Sequence, residues 1–356
     1  MLIMSISRLL LLQVFLVASL AAPAVAVEKP SPVQKPSPVQ KPSPVQRLAG
    51  AESADCPSLP RTRTQDELWV VSSRHLCWSD VDSKKSSVAQ LSYERLVGDQ
   101  WKRESLAEYI AAEEKSTRTV MFVHGFWTDY GVALSLGEDL FRVLVDEKTD
   151  PAPLRMVIWS WPSERTRTLG IAEQARDKAC RSDLEGRLLA EFLNESKTEH
   201  PVSLLGYSLG VRAISGALHL LDGGVVDDDQ VVATPVVRQI PIRVVSMAAA
   251  MHNDWLDEGQ RFSRALNRAE HTTLLNNGCD RVLRLYPRAF GGRRCGPQAL
   301  GYTGLYAEDL APAVRGKFEQ FEVSSYVGNR HLIRHYISWI DLVKKMQVGV
   351  FGKSAR

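Results

Sequence analysis

The chain has 356 residues, is 44% hydrophobic and 24% charged, and carries a net charge of +3. That composition is ordinary for a soluble globular protein, and the length suffices for one large core or two small ones. The charge is too small to argue for nucleic acid, and the eight tryptophans suit a core better than a binding platform.

Residues 1–26 read as an export signal. Arg8 supplies the positive start, Leu9 to Leu20 an apolar stretch broken only by Gln13 and Ser19, and Ala24-Val25-Ala26 a small-x-small cleavage site. The rival is an uncleaved anchor, because the apolar run reaches Val27; Pro23 and the alanine-rich end weigh against it. Residues 27–63 form a linker. It carries three copies of Lys-Pro-Ser-Pro-Val-Gln, beginning at Lys29, Lys35 and Lys41. Two prolines in every six residues forbid helix and sheet, so an extended, polyproline-like spacer is expected. Its lysines can touch an anionic envelope, although a solvated stalk is the simpler reading. The folded domain is expected over 64–348, with a tail at 349–356.

Export makes the five cysteines candidates for disulfides. Cys56 with Cys77 and Cys279 with Cys295 are each close enough to close a short loop, leaving Cys180 over. Such a loop is worth about 3 kcal/mol in the chain-entropy model. No pair has Cys-x-x-Cys spacing, so no zinc site is expected, and nothing in the chain asks for another cofactor.

Within the domain, Glu67 to Ser73 (ELWVVSS) and Tyr93 to Val97 have strand patterns, Ser83 to Val88 is turn-like, and Ala107 to Lys115 suits a helix. Thr119 to Val123 (TVMFV) is a fully apolar strand run that passes directly into His124-Gly125-Phe126-Trp127. Leu134 to Val145 has helical spacing. Met156 to Trp159 is another buried strand, leading into Ser160-Trp161-Pro162-Ser163, and a helix is expected from Ile171 to Leu193. Strands alternating with helices describe right-handed β-α-β units and a mostly parallel sheet.

Val202 to Leu205 then lead into Gly206-Tyr207-Ser208-Leu209-Gly210, followed by a stretch that suits a helix. A nucleophile raised on so sharp a strand-to-helix turn sits in strained backbone, and side chains two residues either side would collide with the turn. Gly206 and Gly210 leave that space open. The amide of Leu209, at the positive end of the helix, can donate to an oxyanion beside Ser208. After an acidic loop at Gly223 to Asp229, strands are expected at Arg243 to Met247 and Thr272 to Leu275, with Phe262 to Leu266 in a helix between them. The last strand is expected to begin at Phe321 to Val323 and to end near Tyr326 to Arg330. The closing helix is expected from Ile333 to Met346.

A serine nucleophile needs a base to take its proton and a carboxylate to hold that base in the right tautomer. Only His331 and His335 lie beyond Asp280. His331 falls in a loop after a strand and is favoured; His335, four residues on, falls inside the expected helix. Asp280 follows a strand and a glycine turn, which puts a carboxylate at the carboxyl edge of the sheet. Asp254, after the preceding strand, is the alternative.

The His-Gly step at a strand end, ahead of Gly-x-Ser-x-Gly, is a familiar pairing in α/β hydrolases, where amides after the glycine face the nucleophile. It would give Phe126 or Trp127 the second oxyanion contact. His124 is not assigned as the base. VMFVHGF, WSWPS, GYSLG and the Asp280 and His331 neighbourhoods occur in the same order in a bacterial α/β-hydrolase family of uncharacterised function, similar to lipases and esterases. ELWVVSSR also looks like its opening strand, so the resemblance spans roughly Asp66 to Met346. It implies an α/β-hydrolase fold with helices on both faces of the sheet and a triad of Ser208, Asp280 and His331. The substrate expected is a small-molecule or lipid ester, with an amide or peptide as the alternative, and a non-catalytic binding platform as the rival from another class. One departure is Ala249-Ala250-Met251-His252, where such proteins often have an Ala-Pro-Asp-like step.

Overall fold

The computed structural model describes residues 65–77, 79, 81, 88–113, 118–146, 152–166, 168–195, 200–227, 231, 237, 239–291 and 296–352. The expected signal, the repeat linker, Cys56, Cys295 and residues 83–87 lie outside the described residues.

Nine strands form one sheet: β1 (Glu67–Ser72), β2 (Ser92–Val97), β3 (Gln100–Glu104), β4 (Thr119–Val123), β5 (Arg155–Ser160), β6 (Val202–Tyr207), β7 (Ile242–Met247), β8 (His271–Asn276) and β9 (Phe318–Glu322). Their order is β3-β2-β1-β5-β4-β6-β7-β8-β9. The β1–β2 and β2–β3 pairs are antiparallel and every other pair is parallel. β4, β5 and β6 are buried at every position, which is why they read as mostly apolar rather than as alternating, with Arg155, Ser160 and Ser203 as buried polar exceptions.

Five longer helices accompany the sheet: α1 (Leu106–Glu113), α2 (Tyr130–Asp146), α3 (Ile171–Glu195), α4 (Leu209–Leu221) and α5 (Ile340–Phe351). α1 opens on a reciprocal cap, in which the Glu108 amide donates to Ser105 Oγ and the Ser105 amide to the Glu108 carboxylate. Helices cover both faces of the sheet. On β5, Trp159 packs edge-on against Phe192 of α3, whereas the adjacent Ile158 fills the space beside Gly137 of α2. Successive strand residues point to opposite faces, so α2 and α3 lie on opposite sides. α3 and α4 cross closely, since a Cβ at Gly186 would lie 2.8 Å from the Ala213 carbonyl oxygen.

The parallel strands carry their carboxyl ends to one edge, where His124, Trp161, Ser208, Ala248 and Asn277 begin the connections. That edge carries the candidate site.

Several expectations need correction. β3, QWKRE, is exposed or half-buried throughout and has no apolar signature. Edge strands pair on one side only and tolerate such polarity. The last strand is also a polar edge and lies earlier than expected; Ser324–Val327 is a turn of helix instead. The helix expected from Ile333 to Met346 is interrupted at Trp339, whose extended backbone separates Arg334–Ile337 from α5. The helical turn expected at Phe262 to Leu266 lies at Ala265–Arg268. α5 continues past Val348 to Phe351.

Candidate active site

Ser208 sits between β6 and α4 with φ 55° and ψ −119°. A side chain in this left-handed region is strained, and the surroundings hold it there. The Ser208 amide donates to the Met247 carbonyl at 3.0 Å, and its own carbonyl accepts from the amides of Ala250 (3.1 Å) and Val211 (3.2 Å). The Ala249-Ala250-Met251 departure is therefore part of the turn's support. Met251 is buried, and Ser215 Oγ donates to its sulfur at 3.4 Å.

The elbow glycines are there for space. A Cβ at Gly210 would lie 2.0 Å from the Val123 carbonyl oxygen, and one at Gly206 2.9 Å from Val211 Cα. Gly125 is equally constrained, with Ser208 Cβ 2.7 Å from where its own Cβ would be. Gly210→Ala must push β4 and the turn apart, and is expected to destabilise the fold by at least about 1–3 kcal/mol, measured by urea unfolding. An unchanged midpoint would show that the turn is free to shift.

The structure brings Ser208, His331 and Asp280 together. His331 Nε2 is 3.2 Å from Ser208 Oγ, and Nδ1 is 2.7 Å from Asp280 Oδ2. A carboxylate only accepts, so Nδ1 carries the proton and Nε2 presents a lone pair to the serine hydroxyl. Asp280 is fully buried, and its other oxygen accepts from the amides of Val282 (2.8 Å) and Leu283 (3.0 Å). The Tyr207 hydroxyl donates to the His331 carbonyl at 3.2 Å. The alternatives stand apart. Asp254 is exposed in a turn, and the His335 ring is 3.4 Å from Arg330 NH1.

Of the two oxyanion candidates on the His-Gly loop, Trp127 has already committed its amide, which donates to the Ser163 carbonyl at 2.8 Å. The amides of Phe126 and Leu209 have no partner among the described residues. Trp127 presents its ring instead, 44% exposed and facing Arg165.

His124 is a buried structural group. Its Nδ1–H donates to the Gly125 carbonyl at 3.0 Å, Nε2 accepts from the Trp161 amide at 3.2 Å, and the ring stacks on Trp161. Burial, and then the neighbouring Arg74 charge, push its pKa down to about 3, so it is neutral. Arg74 ties this loop to two strand ends. Its Nε donates to Ser160 Oγ (2.7 Å), and NH2 to His124 Nε2 (3.3 Å) and the Thr128 carbonyl (2.9 Å). NH1 pairs with Glu164 at 2.7 Å. Asn277 does the same for the histidine loop, donating to the carbonyls of Gly328 (2.9 Å) and Arg330 (3.3 Å). Sequence reading passed over both. Their only signal is a polar residue at the carboxyl end of a parallel strand.

Among the described residues no group of three His, Cys, Asp or Glu side chains is placed to hold a metal ion. Nor is any described helix long and apolar enough to cross a membrane.

Residues 100–286 match the family described as alpha/beta hydrolase of unknown function (DUF900). The chain belongs to this family. The match takes in Phe126, Ser208 and Asp280 and stops short of His331, whose position comes from the geometry. Among solved structures it is similar to TT1662 from Thermus thermophilus, at 14% identity and TM-score 0.36, over 75% of this chain and 94% of that one. It is also similar to an inhibited esterase B from Lactobacillus rhamnosis, at 12% identity and TM-score 0.32, over 81% and 91%. No curated protein matches it.

Proposed function

We propose that this α/β hydrolase is an exported serine hydrolase that cleaves carboxylic esters. The observation that carries the reading is the hydrogen-bonded run from Ser208 through His331 to a fully buried Asp280, with the serine on a strained turn. Ser208 Oγ attacks the ester carbonyl carbon as His331 Nε2 takes its proton, and the amides of Leu209 and Phe126 receive the oxyanion. The proton passes to the leaving alcohol as the acyl-enzyme forms. Water, deprotonated by the same imidazole, then releases the carboxylic acid and restores Ser208. The base must be neutral to act. Export rests on the first 26 residues, whose sequence has the form of a cleavable signal.

Labelling with a fluorophosphonate probe, followed by rates on p-nitrophenyl esters of increasing chain length, tests the reading. Covalent labelling and ester turnover are expected. A folded protein that neither labels nor turns over any ester overturns it in favour of a binding platform.

Arg74 positions the loop that bears Phe126 without touching the substrate. Arg74→Ala is expected to lower kcat by about tenfold or more with little change in KM, because a misplaced oxyanion donor weakens the transition state selectively. A KM effect alone would remove Arg74 from this role.

A further inference from the structure

Two connections meet at the mouth of the site, and both present apolar side chains to solvent. Just after Asp280, Val282 is 56% and Leu285 45% exposed, while Leu283 and Tyr286 of the same turns are buried and anchor them. Just after His331, Leu332 is 64% exposed and Ile333 is buried beneath it. The connections adjoin one another. The Arg281 amide donates to the Asn329 carbonyl at 3.3 Å, and Asp280 grips His331 at 2.7 Å. Val282, Leu285 and Leu332 therefore flank the catalytic histidine rather than being scattered over the surface.

The charge on these connections has one sign. Segments 281–291 and 328–338 contain Arg281, Arg284, Arg288, Arg330 and Arg334 and no aspartate or glutamate. Arg334 is taken by Asp139 at 3.2 Å. Arg284, Arg288 and Arg330 are exposed and have no carboxylate partner among the described residues. Exposed leucine and valine set among unpaired arginines suit an apolar layer beneath an anionic surface, the combination that lets interfacial segments bind anionic lipid.

We propose that this face docks the protein on an anionic lipid surface and thereby presents the acyl esters of that surface to Ser208. Docking rests on the exposed side chains alone; delivery of an ester rests on the serine-hydrolase reading.

The test separates the two by using full-length protein with Ser208→Ala, which cannot turn over its target. Sedimentation is measured with vesicles of phosphatidylglycerol and phosphatidylcholine in equal parts, and with phosphatidylcholine alone. Binding to the anionic vesicles only, weakening with added salt, is expected. Arg284→Gln with Arg288→Gln should lower that binding about 30-fold, and Leu285→Ser about tenfold. Hydrogen exchange on vesicles should protect residues 281–290 and 328–335, which locates the contact even though the N-terminal apolar stretch is present in every variant. Equal binding to both vesicle types, unchanged binding of the arginine variant, or protection confined to the N-terminal stretch would each overturn the proposal. Tighter binding to duplex DNA than to anionic vesicles would also overturn it, making the face a general polyanion site.

Discussion

Ser208→Ala is expected to lower turnover of a p-nitrophenyl ester by about 10⁶-fold while leaving the protein folded. The expected loss is large because, in the mechanism proposed above, the serine hydroxyl forms the covalent bond, and no other hydroxyl is placed at the strained turn to replace it. Folding should survive because the contacts that hold the turn belong to the main chain. The Ser208 amide bonds Met247, and its carbonyl accepts from Ala250 and Val211, all of which alanine retains. The hydroxyl itself has one partner among the described residues, His331 at 3.2 Å, whose side chain keeps 14% of its surface in contact with solvent. Alanine therefore leaves little unsatisfied. Circular dichroism and the melting temperature should be unchanged, and fluorophosphonate labelling should vanish. If Ser208→Ala still labels and still hydrolyses esters, the nucleophile lies elsewhere.

What could be read from the sequence follows from which features are local. β4, β5 and β6 are buried on both faces, so their largely apolar sequences announce themselves, and Gly206 marks a turn crowded by Val211, five positions on; Gly210 stands in the same short motif, although the group it makes room for is the distant Val123 carbonyl. β3 and β9 were missing or displaced because polar edge strands such as QWKRE and FEQFE are specified by the neighbour they pair with, which local periodicity does not report. The same holds within the site. Asp280 and His331 were legible as residue types in the right order, but their 2.7 Å contact bridges 51 positions. The choice between Phe126 and Trp127 needed the knowledge that Ser163 takes the Trp127 amide. Arg74 was invisible for the same reason, since its partners come from the ends of β4 and β5. Long-range satisfaction of polar groups is the part of this fold that one sequence does not display.

Asp280→Asn carries the second large effect, and its cause is a tautomer rather than a lost charge alone. Asp280 Oδ1 accepts from the amides of Val282 and Leu283, so the asparagine must leave its oxygen there; turning the other way would set its NH2 group against two donors. The NH2 group then faces His331 Nδ1 where Oδ2 had been. It can only donate, so Nδ1 gives up its proton and Nε2 takes one. Nε2–H now points at Ser208 Oγ, and the base is lost with every heavy atom in place. A fall in kcat of about 10⁴-fold is expected, with KM little changed and the fold intact. Asp254→Asn is the control, because that exposed carboxylate does not reach His331 and its loss should leave kcat unaltered. If the two substitutions change places, with Asp254→Asn inactive and Asp280→Asn active, the acid of the triad has been misassigned. If neither matters, His331 is not oriented by a carboxylate, and the hydrogen-bonded run from Asp280 to Ser208 does not describe the working site.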